Sequence, residues 1–393
     1  MDSLQHTFIN MVRAAITNSK PPDCDNWVEI LKIAERHGMV NVLTELSAQY
    51  PDMPENVRSA LTETQEMQLV KDANQEFEVN GIIGELEENG IKAIMLKGWY
   101  LKQLYPRRDL RVMVDTDIFI RQSDEMAVHK ILTEREFQCK CLGNKKDNEY
   151  TKFPFIALEI HKNLFVYEEV FNENFNSPES DMYIWNRLVP IEGYSNIYRM
   201  DDELFFVYLI AHIVKHLTSG SGIGVRAFLD LWVYIKNKPN LDFDIINRDF
   251  ESVGIGKFAD NAVALAMYWF DNKPVPPEVE ELGDHIFNCG VYGTSDFFVA
   301  NNEVLRDGKK HGKWGYAFRR AFPGMDSMKI RYPQLKKKPW LLPVCYSKRL
   351  MYSLTHRKDW IKGELDSVEK IDYKKVQQIR ELYKKVGLED NKR

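Results

Sequence analysis

The sequence predicts an α+β fold in which a mixed-sheet core is flanked by N-terminal and C-terminal helical regions. Three observations carry that prediction. Apolar residues recur at helical spacing through about the first 90 residues and again from Asp201. Between these stretches the texture changes to short β-rich segments of alternating polarity. One of those segments, VDTDIF, holds two aspartates two residues apart in an otherwise apolar run.

Local signals give the order of elements. NWVEILKIAERHGMVNVLTEL sets Val28, Ile30, Leu31, Ile33, Ala34 and Val40 at helical spacing. A longer helical stretch runs from PENVRSALTE to IIGELEENG, with Pro54 near its start and Asn89-Gly90 as its stop. IKAIML is a short strand ending at Lys97-Gly98, and WYLKQLY makes two helical turns closed by Pro106. RVMVDTDIFI alternates, with Val112, Val114, Thr116, Ile118 and Ile120 on one face. The helix EMAVHKILTEREF precedes three short strands, QCKCLG, EYTKF and FIALEIHKNL. Four helices follow, in DDELFFVYLIAHIVKHL, VRAFLDLWVYIKN, DFDIINRDFESVG and FADNAVALAMYWF. The last hundred or so residues mix basic and aromatic helices, joined at KKKPWLLPV. The expected organisation is a helical region over 1–80, an α/β core over 81–195, a helical region closing a cleft over 196–280, and a basic helical region over 281–393.

Composition narrows the function. Hydrophobic residues make up 44% and charged residues 28%, as in soluble globular proteins. No apolar run approaches the roughly 18 to 20 residues of a membrane span. The first residues, MDSLQHTFINMVRAAITN, form an amphipathic helix pattern without the features of a signal peptide, so the expected compartment is the cytoplasm. Cys24, Cys139, Cys141, Cys289 and Cys345 show neither disulfide nor zinc spacing and read as reduced thiols. The net charge of −5 is unevenly spread: from Arg306 onward 24 basic residues face 10 acidic ones, so the remainder carries 29 against 48. That basic quarter either meets a polyanion or docks on the acidic remainder of its own chain. Its KWGYAFRRAF segment, with Trp314, Tyr316, Arg319 and Arg320, is open to both readings.

The aspartates raise the sharper question. Residues i and i+2 of a strand point the same way, so Asp115 and Asp117 share a face, with Arg111 four residues earlier on the same side. Two neighbouring carboxylates repel unless a cation lies between them, and hard oxygen ligands suit Mg²⁺ or Mn²⁺. A bare D-x-D most simply marks a solvated strand end. Here a strand, Lys97-Gly98, a short helix and Arg111 precede it, which adds a phosphate cradle to a metal clamp. FIALEIHKNL then offers Glu159 as a third acid, with His161 on the same face.

Other constellations are weaker. His212 and His216 share a helix face, but Ile213 stands where a zinc-protease helix needs glutamate. SGSGIG is a flexible turn without a preceding strand, and no nucleophile elbow is present. The aromatics of FFVYLIAH and LAMYWF belong to the core.

LKGWYLKQLYPRRDLRVMVDTDIFI resembles the uncharacterised bacterial nucleotidyltransferase family, which has the DNA polymerase beta-like nucleotidyltransferase fold. AERHGMV, LEIHKNL, HLTSGSGIGVRAFLDL and FPGMDSMKIRYPQLKKKPWLLPV extend the resemblance over most of the chain. It implies Asp115 and Asp117 as metal ligands, Glu159 as the third carboxylate and Gly98 at the phosphate-facing turn. Lys97 and Arg111 would then meet the leaving pyrophosphate, and His216, Arg226 and Asp230 would line the cleft. The implied activity is Mg²⁺- or Mn²⁺-dependent transfer of a nucleoside monophosphate from a nucleoside triphosphate. The acceptor is left open among a small molecule, a sugar, a protein side chain and an RNA end. Two positions depart from the pattern: Trp99 stands where the superfamily usually has Ser or Gly, and Val114 where a small residue is common. Trp99 supports the alternative reading, a catalytically silent protein of this fold that binds nucleotide or RNA.

Overall fold

A computed structural model describes residues 1–140, 142–143, 147–154, 156–162, 164, 184–219, 222–290, 315, 318, 321–325, 328–329, 332–356 and 373–388. Its centre is a seven-stranded mixed sheet, with strands β1 (Ala93–Met95), β2 (Thr116–Ile120), β3 (Gln138–Cys139), β4 (Asp147–Lys152), β5 (Ile156–His161), β6 (Leu188–Pro190) and β7 (Ile197–Met200). Their order across the sheet is β3-β4-β5-β2-β1-β7-β6. β2 runs parallel to β5 and antiparallel to β1, while β7 runs parallel to β1.

Helices cover both faces, and period-two alternation decides which side chain meets which layer. Ile118 and Ile120 of β2, Leu158 and Ile160 of β5 and Met95 of β1 are buried together with residues of helices α4 (Glu55–Glu88) and α6 (Glu125–Glu134). Phe119 and Ile94, one step along, join a second and larger core on the opposite face. That core is built by α1 (Ser3–Thr17), α2 (Trp27–His37), α3 (Val40–Thr44), α7 (Asp202–Ser219), α8 (Val225–Asn237), α9 (Phe243–Val253), α10 (Gly256–Asp271) and α11 (Pro277–Cys289). The α+β reading is therefore borne out, and the aromatics Phe205, Phe206, Trp269 and Phe270 are core residues.

Several local expectations need correction. The stretch of helical spacing from Trp27 divides into α2 and α3 at Gly38, whose φ of 64° ends α2 in the left-handed region. Val28 is 53% exposed, while its neighbour Trp27 faces the core. The strand expected over RVMVDTDIFI begins only at Thr116, and Val114 is 48% exposed. The physical reason is pairing: β1 ends at Met95, opposite Ile118, and β5 reaches β2 only as far as Leu158 opposite Thr116. Among the described residues no strand lies beside 111–115, and Gln75 of α4 donates to the Met113 carbonyl instead (3.4 Å). Strands β6 and β7 carry too few residues for a clear alternation and were not expected.

The basic C-terminal part contributes α12 (Leu342–His356) and α13 (Tyr373–Lys385). Ile379, Leu382 and Tyr383 of α13 are buried in the larger core, and Lys385 lies 3.3 Å from Glu281. At this helix, the basic quarter docks on the remainder of its own chain. Trp314, Tyr316, Arg319 and Arg320 lie outside the described residues, as does Cys141; the other four cysteines are free thiols. No helix among the described residues is long and apolar enough to cross a membrane.

One core contact makes stability depend on pH. His37, at the end of α2, is fully buried between Phe8 and Phe287, and its Nδ1 accepts a hydrogen bond from the Val225 N–H at the start of α8 (3.3 Å). Burial, helped by Arg36, lowers its pKa to about 4 from an ordinary 6.5. The unfolded chain thus takes up a proton at higher pH than the folded one, and the stability from neutral His37 is lost as pH falls through that window. The expected loss is about 3 kcal/mol between pH 7 and pH 4. Urea unfolding of wild type and His37→Gln at several pH values measures it, as a difference that shrinks toward pH 4.

Candidate active site

The register of the central strands assembles the acids. Asp117 of β2 lies directly beside Glu159 of β5, and Phe119 beside His161. All four face away from α4, on the side that carries α7. Asp115 stands just before β2, outside the sheet ladder. His161 Nε2 donates to Asp117 Oδ1 at 2.7 Å and lies 3.4 Å from Glu159 Oε2. Ligand atoms of Asp117, Glu159 and His161 all lie within 4.8 Å of one another. Asp117 and His161 are largely buried, whereas the Glu159 side chain keeps 31% of its exposure.

The carboxyls respond differently to this crowding. Burial opposes ionisation of Asp117, but the His161 hydrogen bond and charge, aided by Lys97 and Lys215, outweigh it and hold the pKa low. Burial first, then Asp117, raises Asp115. The same two causes push Glu159 up to about 7, with Asp115 and Asp147 adding to the effect and His161 opposing it. A ring of carboxyls held apart in this way is short of positive charge. Its carboxylate oxygens fit a small divalent cation such as Mg²⁺ or Mn²⁺, with His161 as the hydrogen-bond donor that holds Asp117.

Cations gather on the opposite wall. Lys97 opens the short helix α5 (Lys97–Leu101), and its Nζ lies 2.8 Å from His212 Nε2 of α7. Burial lowers Lys97 to about 8, with Arg111 and Arg226 adding to the effect and Asp117 and Asp230 opposing it. His212 Nε2 is 3.1 Å from His216 Nε2, one turn further along α7. Arg226 of α8 donates to the Val112 carbonyl (3.4 Å), in the segment leading to Asp115. Arg111 is buried and forms a two-pronged ion pair with Asp230 of α8, at 3.2 and 2.9 Å. Tyr105 donates to the same carboxylate (2.7 Å).

Gly98 is explained by close packing. A Cβ there would sit 3.0 Å from Met113 Sδ and 3.2 Å from Arg111 Nη1. The absent side chain lets the 111–113 segment pass against α5. Trp99, beside it, is half-buried and packs against both apolar cores.

Lys97, Gly98, Arg111, Asp115, Asp117, Glu159, His216 and Arg226 therefore come from four separate parts of the chain to one region. Sequence reasoning missed the roles of His161, His212 and Lys215. His161 carried the faint signal of sharing a strand face with Glu159. Nothing local pointed to a lysine on His212, because the contact spans 115 residues.

Comparison with known proteins gives one match. A family model described as "Uncharacterised nucleotidyltransferase" matches residues 23–271, more than half of the chain. No curated protein and no solved structure matches.

Proposed function

Because this chain belongs to that uncharacterised nucleotidyltransferase family, we propose that it transfers a nucleoside monophosphate from a nucleoside triphosphate to a hydroxyl acceptor, with Mg²⁺ or Mn²⁺ as cofactor. The observation that carries the reading is the register: Asp117 and Glu159 are direct neighbours on parallel strands. Asp115, Asp117 and Glu159 hold the cation in this proposal. When bound, it neutralises charge on the phosphates during in-line displacement.

The chain's own residues do the rest. Lys97, Gly98, His216 and Arg226 form the nucleotide-binding side, with Lys97 and Arg226 directed at the phosphates, and Arg111, paired with Asp230, braces the segment that carries Asp115. The acceptor oxygen bonds to the α-phosphorus as the bond to the β-phosphate bridge breaks, and pyrophosphate leaves. Glu159 takes the hydroxyl proton. His161 holds Asp117 in place through its 2.7 Å hydrogen bond.

Incubating the protein with Mg²⁺ or Mn²⁺ and α-labelled nucleoside triphosphates tests this. Label is expected on an acceptor or on the chain itself, and is expected to vanish in the Asp115→Asn, Asp117→Asn double variant. Label that survives in that variant would remove the site from the reaction. Nucleotide binding without any label would favour the alternative, a silent nucleotide- or RNA-binding protein of this fold.

A further inference from the structure

We infer that His212 is a positioning residue: its imidazole fixes the Lys97 ammonium at the phosphate-binding side of the site. This rests on the nucleotidyltransferase reading and deepens it, because it states what makes Lys97 a competent phosphate ligand.

Lys97 and Arg111 both act on Asp115, and their partners differ. Arg111 spends its charge on Asp230, a buried carboxylate that matches it with two hydrogen bonds. The Lys97 partner is different in kind. Its Nζ is closer to His212 Nε2 (2.8 Å) than to Nδ1 (3.3 Å). An ammonium group has donors and no acceptor, so the imidazole against it is neutral and offers it an unprotonated ring nitrogen. His216 Nε2, one turn further along α7, lies 3.1 Å from His212 Nε2.

A neutral partner orients the ammonium without cancelling its charge. A carboxylate in that place would consume the charge that a polyphosphate needs. Lysine is otherwise poorly suited to a fixed site, since its four-carbon stem carries about 2 kcal/mol of rotamer entropy. Holding Nζ against His212 removes that freedom before ligand arrives, which is preorganisation. Lys97 and His212 both keep part of their exposure.

The test is a double-mutant cycle read by calorimetry with inorganic triphosphate and Mg²⁺, a probe that lacks base and sugar. His212→Phe is expected to weaken binding about tenfold, and Lys97→Met at least as much. In the Lys97→Met background, His212→Phe should add nothing. His212→Gln, which keeps an acceptor on a side chain of similar reach, should recover most of the affinity. Two results would overturn the inference: His212→Phe binding like wild type, or its full effect persisting without Lys97. A wild-type protein that binds no triphosphate would instead remove the nucleotidyltransferase reading on which the inference stands. Melting temperatures of all five proteins separate loss of binding from loss of fold.

Discussion

Replacing Asp117 by Asn is expected to lower nucleotidyl transfer by about a thousandfold, roughly 4 kcal/mol of transition-state stabilisation, while leaving the protein folded. The expectation follows from where the side chain stands. Asp117 is the acid common to both halves of the site: it is beside Glu159 in register and is hydrogen-bonded by His161. Its pKa is held low, so it is ionised whenever substrate is present. Asparagine keeps the shape and an oxygen for His161 but removes the charge a divalent cation requires. Stability should move little, because two effects oppose each other. Asp117 attracts His161, Lys97 and Lys215, yet it also repels Asp115 and Glu159. Steady-state rates beside a thermal melt check both halves. A variant retaining a tenth or more of wild-type turnover would show that Asp117 does not hold the cation.

The acids were legible in the sequence because strand geometry is local. A period of two marks Asp117, and an alternating segment such as FIALEIHKNL marks Glu159 and His161 as a pair, whereas Asp115 precedes β2 and lies outside that period. The parallel neighbouring of β2 and β5 was not legible. It depends on β7 and β4 taking the other places beside β1 and β5, and register is a property of the whole sheet. The same limit explains the strand start. RVMVDTDIFI alternates from Val112, yet alternation makes a strand only where a neighbour offers its ladder, and here that begins at Thr116. The cationic wall was half visible. Lys97 and Arg111 drew attention as charges near a motif and Arg226 through the family resemblance, while the groups that hold the first two, His212 and Asp230, come from helices more than a hundred residues away.

That long-range bracing sets the second large expectation. Asp230→Ala should destabilise the protein by about 3 to 5 kcal/mol, the usual cost of leaving one member of a buried ion pair without its partner. Arg111 and Asp230 keep only 5% and 6% of their side-chain exposure, so water cannot replace the lost carboxylate. Tyr105 would lose its acceptor at the same stroke. A charge-free replacement of both partners, Arg111→Met with Asp230→Leu, should recover much of the loss, since similar volume then fills the same buried space. Urea unfolding of the single and double variants distinguishes this from a simple packing defect, which would make the double variant worse than either single one. The pair also fixes position. Arg111 Nη1 lies where a Cβ on Gly98 would be 3.2 Å away, and the chain runs from Arg111 directly to Asp115. Asp230 therefore acts on the acids through the backbone that carries them, and Asp230→Ala should weaken Mn²⁺ binding even under conditions where the variant remains folded. Unchanged Mn²⁺ affinity in folded Asp230→Ala would confine the ion pair to stability alone.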